Sequence, residues 1–211
     1  MRRVLSLCCA GSLLSLSLSS QADEGDSEPV PAPVSVRRSG FNIGIAGGLV
    51  LSAAHGFPND VNEIGVARYK AGTGLGVNRG SALWLGGSIV DWFSVGVGLA
   101  GSSNKASGTQ STGAAFQVRI ETFPLFYQGR AWQDLGLLFC AGLGGYQILR
   151  AGEKVADGGA TSAIGFGAFY EPWRLWQLSL GPQIEYQHQF SHSISAQAVT
   201  MGLRVVFYAG P

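Results

Sequence analysis

The chain has 211 residues, enough for one domain with a sizeable core, and only 13% of them are charged, against about 25% in ordinary soluble domains. Fourteen basic and 13 acidic side chains nearly cancel, which argues against nucleic acid as a partner, since phosphate binding needs a concentrated basic face. Thirty-two glycines come without a collagen period and mean hydropathy is +0.20; a Gly-rich secreted β-sandwich would carry more charge on its outer faces.

Residues 1–22 read as a Sec-type signal peptide. Arg2 and Arg3 form its basic start and Val4 to Leu18 its apolar core. Ser20-Gln21-Ala22 places small residues at −3 and −1 of a cut before Asp23. Leu5-Ser6-Leu7 lacks the small residue expected before a lipidated cysteine at Cys8. After the cut only Cys140 remains, which allows no internal disulfide and no shared metal thiol. Residues 23–39, acidic and then carrying Pro29, Pro31, Pro33 and Arg37-Arg38, are expected to be a disordered periplasmic segment, since they bury too little surface to fold alone.

No later stretch approaches the roughly 18 continuous apolar residues of a spanning helix. An exported apolar chain without one must close its strands into a barrel, because open backbone edges are not tolerated in lipid. From Phe41 the pattern has period two. Phe41, Ile43, Ile45, Leu49 and Leu51 share one face; Asn42, Gly44, Ala46 and Gly48 share the other. A polar loop over 52–72 leads to a second strand at about 73–88, with an irregularity at Asn78-Arg79-Gly80. A further hairpin within 52–72 would make ten strands, but Gly56-Phe57-Pro58 argues against it. The third strand turns Phe93, Val95, Val97 and Leu99 to one side. The fourth turns Phe116, Val118 and Ile120 outward against Gln117, Arg119 and Glu121 inward. The fifth has Leu135, Leu137, Phe139 and Leu143 outside; the sixth includes Ile164, Phe166 and Tyr170. In the seventh, Trp176, Leu178, Leu180, Ile184 and Tyr186 alternate with Gln177, Ser179, Gln183, Glu185 and Gln187. The last, about 193–208, alternates Val199, Met201, Leu203, Val205 and Phe207 with Thr200, Gly202, Arg204 and Val206. The result is an all-β, antiparallel, up-and-down transmembrane β-barrel of eight strands over 40–208, with a tail at 209–211.

Trp92, Trp132, Trp173 and Trp176 fall in or beside alternate connections. Together with Phe207 and Tyr208 they are expected to form an interfacial aromatic girdle. Arg119, Glu121, Glu185 and Arg204 are expected inside as a lumen charge network, with Glu185 and Arg204 paired across adjacent strands. Such charges serve either as a polar plug or as the lining of a thin solute path.

On these features the chain resembles the small eight-stranded outer-membrane barrels of the OmpA, OmpX and OmpW type over residues 40–208. Leu203, Val205, Phe207 and Tyr208 look like the C-terminal signal of that class, although Ala209-Gly210-Pro211 follows where such chains usually end on the aromatic. The resemblance implies a bacterial outer-membrane protein with both termini and the aromatic turns in the periplasm. Loops near 52–72, 101–112, 149–159 and 188–193 would then face outward. It implies outer-membrane lipids and lipopolysaccharide as surroundings, the barrel-assembly machinery as a partner in biogenesis, and a monomer.

His188, Ser191, His192 and Ser193 are the one cluster of catalytic residue types. Some outer-membrane barrels are lipid A-modifying hydrolases, but the His-x-Ser spacing of the resembling deacylases is absent, and no acid lies nearby to orient a base. The His188/His192 spacing suits a metal only on a helix, so neither metal nor cofactor is expected. The glycine clusters lack the following helix of a phosphate loop. The expected function is therefore non-enzymatic, structural or surface-interacting, with a narrow channel for small solutes as the alternative and a hydrolase as a remote third.

Overall fold

The structure is a computed structural model and describes residues 38–106, 108–128 and 130–210. The expected signal peptide and nearly all of the 23–39 segment lie outside the described residues.

Eight long strands form the wall: β1 (Gly40–Gly56), β2 (Gly76–Val90), β3 (Phe93–Ala106), β4 (Thr109–Thr122), β5 (Leu135–Arg150), β6 (Glu153–Tyr170), β7 (Leu178–Phe190) and β8 (Ile194–Tyr208). Each pairs antiparallel with its neighbour in sequence, and β8 returns to β1 from Asn42↔Tyr208 to Gly56↔Ile194. The sheet therefore closes. The segment between β1 and β2 adds no further stave: it holds a single 3₁₀ turn, Ala67–Tyr69, and a two-residue strand, Ala71–Gly72, paired with His55 and Gly56.

Period-two patterning decides which side of the wall is apolar. One row of opposed residues, Ile45, Leu83, Leu99, Phe116 and Leu143, runs outside five adjacent strands, and every member is more than half exposed. Water would oppose so continuous an apolar belt, whereas hydrocarbon accommodates it. Trp92, Trp132, Trp173 and Trp176 are exposed at the end where β1 begins and β8 ends.

The connections depart from expectation at the other end. The anticipated loops near 101–112 and 149–159 are strand almost to their tips: β3 runs to Ala106 and β4 starts at Thr109, while β5 and β6 are joined by Ala151-Gly152, both at positive φ (51° and 89°). That is the geometry of a tight two-residue hairpin. The loop near 188–193 shrinks to Ser191–Ser193. Polar residues had suggested loops, but a strand that rises out of lipid into water is free to become polar on both faces. With up to 18 residues, against the 9–11 needed to span, these strands project beyond the band. Strand two begins at Gly76 rather than 73; its pairing with β3 stops at Gly80, at the expected irregularity Asn78-Arg79-Gly80, and its register against β3 shifts again at Ser88/Val90.

Candidate functional site

The barrel interior is the site where polar chemistry collects. β4 points Gln117, Arg119 and Glu121 inward, β7 points Gln183 and Glu185, and β8 points Arg204 and Tyr208; all seven are buried. Three further charges come from outside the long strands. Glu171 follows β6 and is fully buried, Arg38 precedes β1 at 1% exposure, and Asp134 precedes β5.

These groups form one alternating ladder. Arg38 lies 2.6 Å from Asp134 and 3.7 Å from Glu171. Glu171 lies 3.1 Å from Arg204, which reaches Glu121 at 2.8 Å. Glu121 accepts from Arg119 at 2.6 Å, and Arg119 reaches Glu185 at 3.5 Å. Gln183 ties its end, accepting from Arg119 at 3.3 Å and donating to Glu185 at 2.8 Å. Tyr208 donates its hydroxyl to Glu171. Three guanidinium groups thus alternate with four carboxylates, and Arg174 joins at the mouth through Asp134 at 3.0 Å. Alternation matters because a buried charge is tolerable only where it is paired and hydrogen-bonded.

Aromatic rings supply the rest of the solvation. The Arg204 guanidinium lies 3.7 Å from the Phe169 ring centroid and 5.0 Å from that of Trp84; Arg119 lies 4.2 Å from Trp84. Arg38 stacks over Phe123 at 3.6 Å and donates to Gln133 O. Burial lowers the Arg38 guanidinium from its usual value and Glu171 opposes that drop. Three of the large lumen aromatics stand opposite a glycine: Trp84 over Gly44, Phe169 over Gly136, Tyr146 over Gly113. A Cβ on any of these glycines would strike the facing ring.

The far half of the lumen is filled differently. Val50, Ala54, Tyr146, Ile148, Ala156 and Ile194 are buried there, Ala71 of the long connection joins that cluster, and Phe57 bonds across to Ser193 and Asp157. Between the two halves lie cavities of about 20 and 10 Å³ near Gln183, Glu185, Gln187 and Gln189, each no larger than a water site.

Several expectations are corrected. Glu185 and Arg204 are not partners: the register sets Glu185 opposite Thr200 and Arg204 opposite Gly181, because opposing the two would need a hairpin centred between Ile194 and Ser195, whereas the observed one centres between His192 and Ser193. Glu185 pairs with Arg119, and Arg204 with Glu121 and Glu171. Tyr208 does not join the girdle. Phe207 is partly exposed beside Trp176 at 6.4 Å, so the next residue must point inward, and Tyr208 is 5% exposed. Sequence reasoning also missed Arg38, Asp134, Glu171 and Trp84. A signal existed for Glu171, since counting on by two from inward Phe169 reaches it. None existed for Arg38, which precedes any alternation.

His188 meets Ser195, Nε2 to Oγ at 3.1 Å, rather than Ser191 or Ser193; those two bond to each other at 3.2 Å. No carboxylate bonds to the His188 ring among the described residues. No cluster of three metal-ligating side chains occurs among them either.

No protein-family model and no curated protein matches the sequence. Solved structures do match in fold. Neisserial surface protein A is similar over 81% of this chain and 97% of its own, at 13% identity and a TM-score of 0.51. Ail, the attachment invasion locus protein of Yersinia pestis, is similar over 80% and 99%, at 13% identity and 0.48. AlkL, an outer membrane protein solved in lipid bilayers, is similar over 88% and 98%, at 10% identity and 0.42. The chain thus resembles small eight-stranded outer-membrane barrels, and at such identities the likeness speaks for the fold.

Proposed function

We propose that this protein is a sealed bacterial outer-membrane barrel, non-enzymatic, that serves as a structural and surface-presenting element and does not conduct solutes. The observation that carries this reading is the lumen, filled at both levels: the ion-pair ladder with its aromatic lids toward the termini, and the apolar cluster beneath the long connection at the other end. The termini and the tryptophans belong to the periplasmic side, and the hairpins of β3–β6 project outward, where they are placed to meet other molecules. Lipid, lipopolysaccharide and the barrel-assembly machinery are the surroundings this placement supplies. A hydrolase reading gains a Ser195–His188 pair but no orienting acid.

The test is single-channel recording of the chain from Asp23 refolded into a planar bilayer. Stable insertion with no discrete openings is the expected result. Reproducible openings that change with Glu185→Gln would overturn the sealed reading in favour of a narrow conduit.

A further inference from the structure

The barrel wall has an incomplete seam between β2 and β3. The ladder between β2 and β3 ends at Gly80↔Ser102, although β2 begins at Gly76 and β3 continues to Ala106. Beyond that point β2 pairs only with β1 and β3 only with β4. On the lumen side Asn104 bridges the gap, donating to Ser52 O at 2.9 Å and Thr73 Oγ1 at 3.3 Å. On the outer side the seam opens into a groove of about 740 Å³, lined in part by Leu49, Arg79, Ser81, Gly101, Thr112 and Ala114.

The groove sits at a chemical boundary. The outward row nearer the tryptophans is Leu83, Leu99 and Phe116; the row at the groove floor is Ser81, Gly101 and Ala114. The next row toward the hairpins brings Arg79, Ser103 and Thr112. Along the wall, therefore, bulky apolar side chains give way to small ones and then to hydroxyls and a cation. Lys105 follows Ser103 on the same face, roughly 7 Å further along the strand. Arg79 and Lys105 make no ion pair among the described residues, whereas Lys154 on the β5–β6 hairpin is held by Asp157 at 2.6 Å. Neither β2 nor β3 carries an acid.

We propose that this groove binds a phosphorylated lipid of the leaflet at the hairpin end. An acyl chain lies in the recess over Ser81, Gly101 and Ala114, against Leu49. The phosphate meets Arg79 and Lys105, with the Ser103 and Thr112 hydroxyls donating to its oxygens. Charge complementarity at the edge of an apolar recess selects an anionic amphiphile over a neutral one. The site rests on the outer-membrane reading above, under which the leaflet lipid is a lipid A-type glycolipid.

The test uses the chain from Asp23 in nanodiscs of zwitterionic lipid, titrated with diphosphorylated lipid A, with its dephosphorylated form, and with inorganic phosphate. Two variants probe the two halves of the site. Arg79→Gln combined with Lys105→Gln removes the charge on exposed positions. Gly101→Leu fills the recess; a Cβ there meets nothing nearer than Gly113 O at 3.8 Å, so the wall accommodates it. The expected result is saturable binding of diphosphorylated lipid A, weakened at least tenfold by either variant and by dephosphorylation, with no displacement by inorganic phosphate. Wild-type retention by both variants would overturn the site. Displacement by inorganic phosphate would reduce it to a free-anion site. A species of twice the protein mass without lipid would assign the groove to a second copy. Labelling of Ala151→Cys by an impermeant maleimide on intact cells reports orientation separately: an unlabelled tip overturns the outward reading of the hairpins while the nanodisc result still decides the groove.

Discussion

Arg204 shows what one side chain does inside this barrel. It is wholly buried, hydrogen-bonds Glu121, forms an ion pair with Glu171 on a different element and sits against two rings. Arg204→Ala leaves Glu121 and Glu171 facing each other's charge without their shared cation, and the expected loss is about 3–5 kcal/mol, read as a fall in the urea midpoint of the refolded barrel in vesicles. Glu185→Gln should cost clearly less, because Arg119 keeps Glu121 at 2.6 Å and Gln183 beside it. If Glu185→Gln proves the more damaging of the two, the ladder is mis-assigned. Ala151 makes the opposite case. It holds φ 51° at the β5–β6 tip, a region that disfavours a Cβ by about 1–2 kcal/mol, so Ala151→Gly should raise the midpoint by the equivalent of about 0.5–1 kcal/mol. At this scale the sequence revealed direction but not partnership. Alternation turned Arg119, Glu121, Glu185 and Arg204 inward, while which carboxylate each guanidinium meets depends on residues 83 and 33 positions away.

Strands in this chain fit one another through opposed sizes. Gly44 on β1 faces Trp84 on β2, and a side chain at position 44 would occupy the space of the indole ring. Gly44→Val should therefore destabilise by several kcal/mol through overpacking, and Trp84→Ala in the same chain should recover part of that loss. Additive costs in the double-mutant cycle would show that the two do not share one space. The element scale also explains why the hairpins were misread as loops. Inside lipid a strand must be apolar outward, and that constraint wrote the clear alternation near Leu83, Leu99 and Phe116. Past the band the constraint disappears, so Ser103, Asn104, Lys105 and Gln110 look like loop residues while still pairing in β3 and β4. The same change from bulky to small to polar side chains marks the seam groove beside Arg79.

Across the whole molecule, closure by β1 and β8 gives eight staves whose outside is governed by hydrocarbon and whose inside is governed by charge pairing. Sequence alone determined the first of these, because every residue in a spanning strand meets lipid or lumen with period two and the record is local. It supplied the all-β barrel, the strand count, the outward rows and the tryptophans at the end where β1 begins and β8 ends. Only the tertiary structure decided the second. Glu171, Arg38 and Asp134 enter the ladder from a turn, a leading segment and a connection, and Trp84 covers two guanidinium groups from another stave. Interior partners meet across the barrel rather than along the chain, and hairpin registers that depend on where each turn falls set their heights; no local pattern encodes either.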